Sequence, residues 1–167
     1  MSNEVQTDQH LLNAYPAVLP RLSLVWRAVV DVGDRVDLGP SRGGQRYLIP
    51  ITGGRFHAGP AGEGLSGIVL GGGADRQFLR ADGVKELDAL YEMQCEDGTL
   101  ITVRNRVIID EQVQPQRYAM SVIQAQVDST RFDWLNRRVL VGTLTSARPD
   151  RAAVVIDAWL AEPGTGT

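Results

Sequence analysis

The sequence predicts an all-β chain, a single antiparallel closed β-barrel of about eight to nine strands with a short N-terminal arm. Three observations predict it. Apolar residues recur at every second position through most of the chain, 18 glycines punctuate the runs at hairpin spacing, and no βαβ rhythm interrupts them. An antiparallel chain of this length must stack two sheets or curl and close. Gly-Gly bulges supply the bends that closure needs, and closure removes vulnerable edges, which favours the barrel over the sandwich.

The elements follow in order. Residues 1–20 are polar and lack a clear period, and read as an arm with a short helical turn around Leu11 and Leu12. Leu22, Leu24, Trp26, Ala28 and Val30 then alternate, the mark of a half-buried strand. Tyr47–Thr52 is a second run, stopped or bulged by Gly53-Gly54, and Pro50 places it at an edge or beside a bulge. Leu65–Leu70 is a third, closed by Gly71-Gly72-Gly73. Leu87–Cys95 and Leu100–Asp110 flank Glu96-Asp97-Gly98-Thr99, where Asp-Gly suits the positive φ angles of a type I′ hairpin. Arg117–Val127, Arg137–Thr145 and Ala152–Ala161 are the remaining runs, with a helical turn within Thr130–Asn136. The barrel domain is thus expected over residues 21–161, followed by a flexible tail at 162–167.

Composition bounds the function. With 167 residues, 43% hydrophobic and 22% charged, the chain fits one ordinary globular domain. Lys and Arg number 17 against 20 Asp and Glu, a formal charge of −3, so no net basic field for nucleic acid is present. One cysteine, Cys95, excludes an internal disulfide framework and a cysteine-based zinc cluster and fits a reducing compartment. No apolar stretch approaches the ~18 residues of a membrane span. The opening Met1-Ser2-Asn3-Glu4 carries no basic leader. The expectation is a cytoplasmic protein that acts on a small molecule, with no nucleic-acid or membrane partner and no cofactor. A homodimer is expected from the edge strand at Pro50 and the arm.

Polar residues on apolar, inward faces are the ones that can carry chemistry. Along Ile101, Val103, Asn105, Val107 and Ile109 only Asn105 is polar, and an unpaired buried amide costs about 1–3 kcal/mol. The neighbouring strand aligns Leu87, Ala89, Tyr91, Met93 and Cys95 on one face, so the Tyr91 hydroxyl points into the same space. The plainer reading of both residues is a satisfied core hydrogen bond, and the other is ligand contact. Asp75 follows three glycines, where backbone can approach a ligand closely, and a partly desolvated carboxyl there would be tuned for acid–base work. The alternative is a glycine loop in which Asp75 caps a turn. His57 titrates near neutrality and is the candidate counterpart, unless it is a plain surface or core histidine. No metal-ligand spacing, nucleotide fingerprint or nucleophile elbow is present, and Glu96 and Asp97 disfavour a Cys95 thiolate.

Four segments together resemble the domain-of-unknown-function family 3237. They are Ile49–Phe56 (IPITGGRF), Gly67–Asp75 (GIVLGGGAD), Asp97–Asn105 (DGTLITVRN) and Phe132–Asn136 (FDWLN), in that order. The resemblance covers about Leu22 to Leu160 and implies a calycin-like barrel. It further implies that Asp75, Asn105 and Asn136 are the polar site positions, with Trp134 lining the region between them, and Arg55 joins them as a candidate substrate contact. The chain departs from the family pattern at Arg76, Leu90 and Val107, which implies a more apolar pocket and a different substrate.

Three functions are consistent with these residues. The first is a cofactor-free lyase, isomerase or cyclase, with Asp75 as acid or base, His57 or Tyr91 as counterpart, and Asn105 with Asn136 holding a carbonyl or oxyanion. The second is a non-catalytic ligand-binding barrel, and the third a filled structural barrel that forms oligomers.

Overall fold

The computed structural model describes residues 7–165, so the first six residues of the arm and the last two of the tail lie outside the described residues. Ten strands form one antiparallel sheet: β1 Pro20–Val32, β2 Val36–Ser41, β3 Gly44–Ala58, β4 Gly67–Val69, β5 Gly73–Arg80, β6 Lys85–Cys95, β7 Leu100–Asp110, β8 Tyr118–Val127, β9 Val139–Ser146 and β10 Ala153–Pro163. The sheet closes because β1 pairs with β10 on one side and with β3 on the other. Eight strands make the ring, in the order β1-β10-β9-β8-β7-β6-β5-β3. The two extra strands are β2, a hairpin partner of β3, and β4, which continues the lane of β5 between β3 and β6. The expected all-β closed barrel is the observed architecture. The short helix α1, Asp8–Ala14, carries the expected turn at Leu11 and Leu12, with the Thr7 hydroxyl accepting from the His10 amide.

Two local expectations differ from the structure, and a third is decided between its alternatives. Of the two readings of Gly53-Gly54 the bulge holds: β3 runs through it, and one extra residue, Thr52, bulges between the pairs Val32–Ile51 and Asp31–Gly53. Gly54 sits at φ 137°, and a Cβ there would lie 2.1 Å from the Val29 carbonyl oxygen, so only glycine fits this crossing. The Asp-Gly hairpin is not type I′, because Asp97 lacks the positive φ that type I′ requires; within this turn Gly98 alone has it, at 88°. With Cys95 and Thr99 closing a three-residue loop, this is a type I turn with a glycine bulge. The tail begins later than expected, since Glu162 and Pro163 pair with Arg21 and Pro20, and the Gly164 amide donates to the Leu19 carbonyl.

The two ends of the barrel differ. At one end Trp26, Phe56, Leu65, Met93, Phe132 and Leu135 are fully or almost fully buried and form an apolar plug. Leu65 comes from the loop between β3 and β4, and Phe132 and Leu135 from the 3₁₀ helix Asp133–Arg137 and its approach. At the other end, where β1 and β7 finish and β6 and β10 begin, the interior is open. Pro50 faces outward where β3 changes partner from β2 to β1, beside the bulge, which is the second of the two placements its chemistry allows.

Candidate functional site

The inward face of β7 is Ile101, Val103, Asn105, Val107 and Ile109, all buried, and that of β6 is Leu87, Ala89, Tyr91, Met93 and Cys95. Both faces are those that period-two alternation selects. Asp75 does not cap a turn: the glycine run supplies only the turn, with Gly72 at φ 102°, and β5 begins at Gly73. A Cβ on Gly73 would lie 2.6 Å from both the Leu90 carbonyl oxygen and the Tyr91 Cβ, so glycine lets β5 pass close beside Tyr91.

Strand register sets the geometry. Asp75 pairs with Ala89, which pairs with Asn105, so the three lie in one row across β5, β6 and β7. Adjacent strands are ~4.8 Å apart, which separates the Asp75 and Asn105 backbones by about 10 Å. The small Ala89 side chain between them leaves that gap for something else. Tyr91 lies two residues further along β6 on the same face, about 7 Å nearer the plugged end. Together these residues form the floor of a cavity of about 310 Å³ walled by Val30, Ile49, Ile51, Leu87, Leu144 and Ile156.

The floor is polar and largely without partners. Asp75 is 9% exposed, Tyr91 2% and Asn105 1%. Gln77 Nε2 donates to Asp75 Oδ2 at 2.6 Å. Asp75 Oδ1, the Tyr91 hydroxyl and both amide atoms of Asn105 make no hydrogen bond within the protein. Burial against apolar neighbours raises the Asp75 carboxyl to about 6, and the Gln77 hydrogen bond only partly opposes the rise. Burial also pushes the Tyr91 phenol above its ordinary value, so it stays a neutral donor.

The other sequence candidates lie elsewhere. Arg55 and His57 are exposed on the outer face of β3, beside Val29 and Arg27 of β1. The cause is the Thr52 bulge: Ile49 and Ile51 point inward, and one inserted residue turns Phe56 in and Arg55 and His57 out. Asn136 is at the plugged end, where its Oδ1 accepts from the Val127 amide at 3.0 Å and its Nδ2 donates to the Val127 carbonyl at 2.8 Å. Trp134 packs against the core from the same 3₁₀ helix. Asn136→Ala is therefore expected to lower stability by about 1–2 kcal/mol in a denaturant titration and leave ligand affinity unchanged.

Gln77 escaped the sequence reading, although alternation from Asp75 puts it on the same face. So did the mouth of the cavity, lined by Arg35, Lys85, Arg117 and Arg148 from four separate segments. Cys95 is buried, and its thiol is raised first by burial and then by Asp97, against any nucleophilic role. Among the described residues no cluster of three or more His, Cys, Asp or Glu offers a metal site, and no helix is long and apolar enough to cross a membrane.

The family described as "Protein of unknown function (DUF3237)" matches residues 20–161. A UPF0311 protein of Rhodopseudomonas palustris strain TIE-1 is 31% identical over 146 residues, covering 80% of this chain and 91% of that protein. The crystal structure of a conserved protein of unknown function from Rhodopseudomonas palustris superimposes with a TM-score of 0.77 at 29% identity, covering 87% of this chain and 100% of the other. A beta-barrel like protein from Acinetobacter baumannii AYE gives a TM-score of 0.75 at 27% identity, covering 89% and 99% of the two chains.

Proposed function

The chain belongs to the domain-of-unknown-function family 3237, and from that premise we propose that its barrel binds a small organic molecule bearing a carbonyl or hydroxyl group, with Asp75 moving a proton on it. The observation that carries this reading is the cavity floor. Four side-chain atoms, Asp75 Oδ1, Tyr91 Oη, Asn105 Oδ1 and Asn105 Nδ2, are buried there without a protein partner. Each such atom costs about 1–3 kcal/mol left unpaired, and a fold that needed only a filled barrel would place apolar side chains there. A ligand oxygen in the gap over Ala89 gives Asn105 Nδ2 and the Tyr91 hydroxyl an acceptor.

The same geometry supports cofactor-free proton transfer. Asp75 is predominantly ionised at neutral pH yet holds a proton far better than a solvated aspartate. Its carboxylate takes a proton from a carbon next to the bound carbonyl, and the electron pair moves onto the carbonyl oxygen. Asn105 and Tyr91 donate hydrogen bonds to that developing oxyanion. Returning the proton to another carbon isomerises the molecule, and expelling a leaving group from the neighbouring carbon makes the step a lyase reaction. Of the two candidate counterparts to Asp75, Tyr91 lines the cavity and His57 does not.

The test uses wild type, Asp75→Asn and Tyr91→Phe, each incubated with small-molecule extract from the native host. Molecules consumed, and molecules retained on the protein, are identified by mass spectrometry. The proposal predicts a species consumed by wild type, retained without turnover by Asp75→Asn, and turned over about 10²-fold more slowly by Tyr91→Phe. Equal turnover by all three would remove both residues from the chemistry. Retention by wild type without turnover would reduce the function to binding.

A further inference from the structure

The mouth of the cavity carries a charge pattern opposite to that of the chain. The protein has a formal charge of −3, yet the charged side chains lining the mouth are Arg35, Lys85, Arg117 and Arg148, and the cavity's one acidic residue is Asp75 at its floor. Lys85 and Arg117 share a single carboxylate, Glu111 Oε1, at 3.3 and 3.4 Å. Among the described residues Arg148 has no ion pair, and Arg35 has none either, its guanidinium lying 4.3 Å from the centre of the Tyr47 ring. Asp34, Asp110 and Asp150 belong to the neighbouring loops and strand ends but do not line the cavity. Other surface arginines divide: Arg104–Asp88 and Arg151–Asp31 are ion pairs, while Arg42, Arg55 and Arg138 have none among the described residues, so what marks the mouth is the convergence of four cations on one cavity and not their lack of partners.

We infer that the occupant is an amphiphilic organic acid, its carboxylate held at the mouth by Arg148 and Arg35, its apolar body against the cavity wall and its oxygen function on the floor. This rests on the small-molecule reading above and names the substrate class. Arginine presents a planar fork of donors that suits a carboxylate, and a positive mouth over low-dielectric walls draws anions inward. The dimensions agree. Lys85 at the mouth is four residues from Ala89 on the floor, ~13 Å along the strand, which a barrel tilt of ~40° reduces to about 10 Å in depth. A molecule of that length with charge at one end and a polar group at the other meets both sets of unsatisfied groups.

Two compounds of equal shape separate the terms: naphthalene-1-acetate, an anion, and naphthalene-1-acetamide, its neutral counterpart. Each is titrated by calorimetry into wild type, Arg148→Gln and Arg35→Gln. Arg35 and Arg148 are exposed, so the variants are expected to fold normally, which thermal unfolding checks. Wild type is expected to bind the acetate about tenfold more tightly than the amide. Each variant should erase most of that preference while leaving amide binding unchanged, and added salt should weaken the acetate alone. Equal binding of both compounds, insensitive to the arginines, would overturn the organic-acid inference and leave the ligand-binding reading intact. Failure of both compounds to bind wild type at millimolar concentration would overturn both.

Discussion

Replacing Asp75 with asparagine is expected to stabilise the protein at neutral pH while slowing the proposed proton transfer by orders of magnitude. The sign follows from burial. Asp75 titrates at about 6 in the folded chain against an ordinary value of 3.8, so the folded state binds the proton more tightly than the unfolded state does. Below pH 4 both states are protonated and the group has no net effect. As pH rises from about 4 to about 6 the unfolded chain ionises first, and stability falls. Above pH 6 the folded protein bears the whole penalty, roughly 3 kcal/mol at 1.36 kcal/mol per pH unit. Asparagine accepts the Gln77 hydrogen bond as well and has no charge to desolvate. Denaturant titrations should therefore find Asp75→Asn more stable than wild type by up to roughly 3 kcal/mol at pH 7, with the gap closing near pH 4. Loss of a positioned acid–base group should cost about 10²–10⁴-fold in rate. A residue whose removal improves the fold and ends the reaction is one whose position structure alone does not justify.

Phe56→Ala should do the reverse. Phe56 is fully buried in the apolar plug, and the bulge at Thr52 is what turns it inward. Truncating a buried phenylalanine removes apolar contact area and leaves a cavity, at a cost of about 3–5 kcal/mol. Phe56 belongs to the same core cluster as the cavity floor but does not line the cavity, so ligand affinity measured well below the lowered melting temperature should stay near that of wild type. If Phe56→Ala lost stability and affinity in parallel, the two ends of the barrel would be coupled and the plug would belong to the site.

Most of this fold was legible because alternation is a local signal. The faces of β6 and β7 could be assigned from the sequence, and with them the burial of Asn105 and Tyr91. For β10 alternation left two faces open; the structure puts Ile156 and Ala158 inside and sends Asp157 out to pair with Arg27. What was not legible depends on events one residue long or on contacts between distant segments. The extra residue at Thr52 reverses the phase of β3, which took Arg55 and His57 out of the interior. β2 and β5 are not among the runs that alternation marks: β2 contains Gly39-Pro40, and β5 opens on the last glycine of the run before Ala74. The role of Asn136 is tertiary, a grip on the Val127 backbone nine residues away. The four mouth cations come from four segments, and only closure of the barrel brings them together.

The protonation of Asp75 itself can be read by carbon-13 NMR of its carboxyl group across pH 3 to 8. A midpoint near 6, as burial over the cavity requires, would establish a desolvated proton carrier at the floor of the open end. A midpoint near 4 would mean a well-hydrated carboxylate, and the acid–base role proposed for Asp75 would fall with it.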